Sequence, residues 1–173
     1  MADQIKRVLL LDVTSDEDIN TAALELTSKI ANGQINIVND TEVEREDGKN
    51  KAEKLANVAG TCVSFLLVCS EALTNVIDQQ DYSSCNSFFK SEGIDEVIQK
   101  FSTDEQLKSR AIMVLLENYP HANPSKFEGK EQFSDKSTED DINKLRSKIM
   151  NAGKPIPIKI EKIKEKRNGC KTQ

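Results

Sequence analysis

Three stretches of this chain, residues 5–11 (IKRVLLL), 61–69 (TCVSFLLVC) and 110–116 (RAIMVLL), place apolar residues side by side with little polar alternation. A strand that shows one face to water alternates apolar with polar residues, so runs of this kind belong to strands covered on both faces. Between them the apolar spacing changes to that of helices. Ile19, Ala22, Ala23, Leu26 and Ile30 recur along one face until Asn32-Gly33 ends the pattern. Residues 51–58 have helical composition, Ile94, Val97, Ile98 and Phe101 form another face, and Ile142, Leu145, Ile149 and Met150 form the last. Strands alternating with helices predict an α/β, flavodoxin-like three-layer domain with a mainly parallel central sheet, wound through right-handed crossovers.

Finer features complete this expectation. Ser15 with Asp18, and Ser137 with Asp140, have the spacing of capping boxes at the first and last helices. Residues 34–38 form a short second strand, 39–50 read as an exposed charged loop, and Gln132-Phe133 marks a fifth strand. Pro120 and Pro124 demand extended chain between the fourth and fifth strands. Residues 82–90 show no clear period. Residues 1–153 are expected to form the domain, and 154–173 a basic arm and tail.

Charge is unevenly placed. The net charge is −5, yet residues 154–173 hold seven Lys or Arg against two Glu, leaving 17 basic and 27 acidic side chains in the body. An acidic body repels phosphate backbones, so a nucleic-acid partner is not expected. No apolar run approaches the roughly 20 residues of a membrane span, and the first residues lack a secretory pattern, so the cytoplasm is the expected location. The four cysteines follow no zinc or CxxC spacing, and Cys62 and Cys69 read as buried thiols. One histidine, His121, offers little for a metal or triad site.

In folds of this class ligands bind beyond the carboxyl ends of the strands. The segment after the first strand is Asp12-Val13-Thr14-Ser15-Asp16-Glu17-Asp18, with four carboxylates and no glycine, which opposes a phosphate or dinucleotide. Asp12, Asp16 and Asp18 are suited to the acidic cluster of a phospho-receiver, but the third strand ends Cys69-Ser70, without an acceptor aspartate. Acids at 16–18 suit the first turn of a helix.

In the order of its segments the chain resembles the TIR and SEFIR superfamily of signalling domains over roughly residues 5–150. KRVLLLDVTSDED resembles the opening strand and acidic turn, and INIVNDTEVEREDGKN the second strand with the long BB loop. AEKLANVAGTCVSFLLVCSEAL resembles the following helix and third strand, RAIMVLLENYP the fourth strand, and DDINKLRSKIM the closing helix. The first strand lacks the aromatic of TIR box 1, the loop has Asp47-Gly48 where Pro-Gly is usual, and the last helix lacks a Phe-Trp pair, which favours the SEFIR side.

The resemblance implies an adaptor-type module. It would associate with TIR- or SEFIR-like domains of receptors or adaptors, or with itself, without a cofactor. The BB-like loop would be the contact, here Asp40, Glu42, Glu44, Arg45, Glu46, Asp47, Gly48 and Lys49. Reversing Glu44 and Glu46 to Lys is the test this reading suggests. The alternative within the superfamily is a NAD-cleaving hydrolase. Its Ser-x-Trp-Cys-x-x-Glu pattern is met here only by Ser83-Ser84-Cys85-Asn86-Ser87-Phe88, with Phe88 in place of the glutamate, leaving Glu71 as the nearest carboxylate. Finally, Cys170 stands four residues from the end of a basic tail, a frame for lipidation and peripheral contact with the inner membrane surface.

Overall fold

The structure is a computed structural model that describes residues 5–46 and 48–159. Its sheet has five strands in the order β2-β1-β3-β4-β5, all parallel. These are β1 (Lys6–Leu11), β2 (Ile35–Val38), β3 (Ser64–Val68), β4 (Ala111–Leu115) and β5 (Gln132–Ser134). This is the flavodoxin-like order. The fifth strand is present, its Phe133 paired with Val114.

Alternation along the buried strands sorts the core into two layers. Val8 and Leu10 of β1 face α1 (Glu17–Ile30) and α7 (Glu139–Met150), through Ile19, Leu26, Leu145 and Ile149. Leu9 and Leu11 face the opposite layer of α3 (Lys51–Ala59), α4 (Glu71–Gln79) and α5 (Ile94–Thr103). Successive strand residues point to opposite faces, so a run that is apolar throughout is what a sheet covered twice requires. Phe65 of β3 meets Phe101 of α5 edge to face, with ring centroids 4.7 Å apart.

Four details differ from the sequence expectation. The cap of α1 is Asp16, whose carboxylate accepts from the Asp18 and Ile19 amides, while the Ser15 amide is engaged with the Ser84 carbonyl. A carboxylate at a helix start gains from the dipole as well as from the hydrogen bonds, which favours Asp16. The last helix is likewise capped one residue later, by a reciprocal box between Thr138 and Asp141. Residues 39–50 are not loop throughout. Asn39 caps a four-residue helix, α2 (Asp40–Val43), and Val43 is fully buried against the α3 layer. A short helix α6 (Glu105–Ser109), capped by Asp104, precedes β4 where no element was expected. Residues 82–90 contain a bridge between Thr14 and Cys85 and a 3-10 turn at Ser87–Lys90.

No helix among the described residues is long and apolar enough to cross a membrane. Cys170, Asp47 and residues 160–173 lie outside the described part.

Candidate functional site

The strand order reverses between β1 and β3, so their carboxyl ends flank the crevice where such folds place ligands. Asp12 follows β1 there with 8% of its surface exposed. Its Oδ2 accepts from Asn20 Nδ2 at 2.7 Å, whereas Oδ1 is buried without a partner among the described residues. Burial pushes the Asp12 carboxyl up to about 6, the Asn20 bond pulls it back, and the charges of Asp40 and Asp16 add to the rise. Asp40, at the start of α2, is also raised, chiefly by burial.

A segment of the chain itself lies over this end of β1. The Ser15 amide donates to the Ser84 carbonyl at 3.2 Å, and the Asn86 amide donates to the Val13 carbonyl at 2.9 Å. Asn86 Nδ2 also reaches the Asp12 carbonyl at 3.5 Å. Phe88, where the hydrolase pattern would have its glutamate, is buried beside Phe89 with the Lys51 ammonium 5.7 Å from its ring centre. Glu71 stands exposed in the first turn of α4, after the capping Ser70. Among the described residues no group of three His, Cys, Asp or Glu is placed to hold a metal ion.

The charged loop is built from the outside of α3. Lys54 Nζ donates to the Glu44 carbonyl at 2.8 Å, and Gly48 presses on the same residue so closely that a Cβ there would lie 2.7 Å from Lys54 Cγ. Glycine is therefore demanded at 48 by close approach. Glu44 pairs with Lys51 at 3.3 Å and Glu46 with Arg7 at 3.2 Å. Both glutamates thus serve the loop's own geometry, and reversing them would unfasten the loop as well as change its surface. Glu42, Arg45 and Lys49 are exposed and form no ion pair with a described residue. Among the described residues they are the charges the loop offers outward.

No family model matches the chain, and no curated protein matches it. A solved structure does. The chain is similar to a protein described as a prokaryotic SEFIR domain, with 15% identity and a TM-score of 0.49, covering 84% of this chain and 96% of that one.

Several residues that shape the site carry only faint marks in the sequence. Arg7 sits inside an apolar strand run, and such a placement already signals a specific partner. It finds two, Thr61 Oγ1 at 2.8 Å and Glu46. Val43 is the one apolar residue in a charged stretch, the mark of an inward anchor. Cys62, Cys69 and Cys85 are free and buried, and burial pushes their thiols up to about 12, about 11 and about 11. Thiols held so far from ionisation are poor nucleophiles. His121 lies exposed in the loop after β4, its Nδ1 2.8 Å from the Tyr119 carbonyl.

Proposed function

We propose that this domain is an intracellular interaction module of the adaptor kind, which associates with a like domain through the loop between β2 and α3. The observation that carries this reading is the division of labour among the loop's charges. Glu44 and Glu46 are committed to Lys51 and Arg7, while Glu42, Arg45 and Lys49 project from a backbone pinned by Val43, Gly48 and Lys54. A fixed display of both signs discriminates partners, because like charges brought together are penalised and opposite charges rewarded. The order of segments that resembles TIR and SEFIR domains points the same way. Sedimentation velocity of the purified chain tests it: association that strengthens with concentration and weakens with added salt is expected, and a monomer at all concentrations removes self-association from the reading.

A second reading keeps the fold and gives it chemistry at the strand ends. What favours it is Asp12, a buried carboxyl raised to about 6 with one oxygen unpartnered. Incubation with NAD decides it, with Asp12→Asn and Glu71→Ala alongside. Nicotinamide release abolished by either substitution would make the domain a hydrolase, and no release would remove that activity.

A further inference from the structure

The register of β1 and β2 sets two acids side by side at the carboxyl end of the sheet. Leu9 stands opposite Val38, and the two parallel strands run on together into Asp12 and Asp40. Asp12 is buried, and Asn20 Nδ2, which donates to its Oδ2 at 2.7 Å and to the Thr14 carbonyl at 3.2 Å, leaves Oδ1 without a partner among the described residues. Asp40 is half-buried and opens α2, the four-residue helix that begins the charged loop. That helix is fastened by the Asn39 side chain, which accepts from the Glu42 amide at 3.2 Å, and by Val43, its one buried residue.

The charges that bear on Asp12 are acids on both sides. Asp16, the cap of α1, stands on one side and Asp40 on the other, with Glu44 acting in turn on Asp40. The segment that lies over the strand end offers only the neutral Ser84 and Asn86, and Glu71 of α4 is exposed. Lys51 of α3 is committed to Glu44 at 3.3 Å. We propose that the proton on Asp12 sets how firmly α2, and with it the first part of the charged loop, is held against the end of β1.

With Asp12 neutral, Asp40 carries the only charge of the pair and α2 stays seated. With Asp12 ionised, two carboxylates lie close together where burial limits screening by water and salt. The strain is relieved by the one that can move. Asp12 is fixed by the central strand and by Asn20, whereas Asp40 rides on a single turn of helix. Burial pushes the Asp12 carboxyl up to about 6 from the ordinary 3.8, and Asp40 adds to the rise. A raised carboxyl stabilises the arrangement that holds it while it is protonated, and that stabilisation is lost as pH climbs through about 6. Acid therefore tightens α2 and neutral pH loosens it. Asp40, raised chiefly by burial, acts in the same direction. Glu42, the outward charge of α2, belongs to the contact surface proposed above, so on that reading, and resting on it, association follows the same proton.

Hydrogen-exchange protection of the Glu42, Val43 and Glu44 amides tests this, measured on the full chain, Asp12→Asn and Asp40→Asn. Between about pH 7.5 and about pH 5, protection in the wild type should rise about 10-fold, the factor that matches a shift of about one pH unit. In Asp12→Asn, which keeps the neutral form at every pH, and in Asp40→Asn, which removes the like charge, it should be high at both. The three amides should also exchange faster than those of β3, as local opening requires. The carboxyl carbon of Asp12 should titrate near pH 6 in the wild type and lower in Asp40→Asn. Protection that ignores pH, that keeps its dependence in Asp12→Asn, or that matches β3 throughout overturns the proposal. Should Asp12→Asn fail to fold, an Asp12 midpoint unmoved by Asp40→Asn overturns it equally. Sedimentation at both pH values separates this from the interaction reading. Tighter association in acid supports the link. Responsive protection in a chain that never associates removes the interaction reading and leaves the proton's hold on α2 standing, and association with unresponsive protection does the reverse.

Discussion

Arg7 holds Glu46 and Thr61 with the two nitrogens of one guanidinium, at 3.2 Å and 2.8 Å, so the far end of the charged loop is tied to the first strand and to the chain just past α3. The pair is partly exposed, with 29% and 46% of the two side chains open. Its contribution to stability is correspondingly small, within about 1 kcal/mol. Its effect is on position. Arg7→Gln should change the denaturation midpoint little and speed hydrogen exchange across residues 44–50; unchanged exchange would show that the loop is held without it.

Gly48 gives a second handle on the same loop. Gly48→Ala puts a methyl 2.7 Å from Lys54 Cγ and 3.1 Å from its backbone nitrogen. Part of that contact is backbone, which cannot swing away, so the loop must shift. A loss of about 1 kcal/mol is expected from urea denaturation, together with amide shift changes confined to the loop and α3.

Val43 is where the loop enters the core. Val43→Ala deletes two buried methyl groups beneath an otherwise charged segment, at a cost of about 2 kcal/mol. A substitution without effect would mean that the loop folds independently of the α3 layer.

Asp12 makes stability depend on pH with an unusual sign for an aspartate. Its carboxyl is raised to about 6 in the folded chain, above the ordinary value of 3.8, so the native state binds the proton more tightly than the unfolded chain. Ionisation above that range opposes folding. Stability contributed by the protonated group is therefore lost as pH climbs between about 4 and about 6, by up to about 3 kcal/mol, and Asp40 acts in the same direction. The wild type should gain on Asp12→Asn as pH is lowered from about 7 to about 4, measured by urea denaturation. Parallel curves for the two proteins would contradict the buried placement of Asp12.

The three core thiols provide a kinetic check. In a Cys170→Ser background, Cys62, Cys69 and Cys85 should react with a disulfide reagent only at the rate of unfolding. Rapid reaction of any thiol would place one of the three nearer the surface than the structure does.

The fold is legible in the sequence because the strands most central to it carry consecutive apolar residues over most of their length, and only a sheet covered on both faces buries such strands. Residues 8–11 show this most clearly, since Val8 and Leu10 serve one layer and Leu9 and Leu11 the other. The sequence places the helix starts one residue early, at Ser15 and Ser137, because the spacing of a capping box fits neighbouring registers and only the backbone decides between them. Charge alone marks the loop, but not its inner architecture. Which carboxylates are spent on Arg7 and Lys51, and which face outward, depends on contacts up to 39 residues apart in the chain. For the same reason proximity in sequence singles out Glu71 as the nearest carboxylate for chemistry, although the carboxyls that burial raises are Asp12 and Asp40. Asn20, the partner of Asp12, lies eight residues away, on the next element.

On the proposed function, Glu42 and its outward neighbours form the contact surface. The most direct test is the self-association constant of the full chain by sedimentation equilibrium, compared with Glu42→Lys and with Glu25→Lys, an exposed charge on α1. About 10-fold weaker association is expected for Glu42→Lys, equivalent to about 1.4 kcal/mol, and no change for Glu25→Lys. Equal association for all three proteins would contradict that surface.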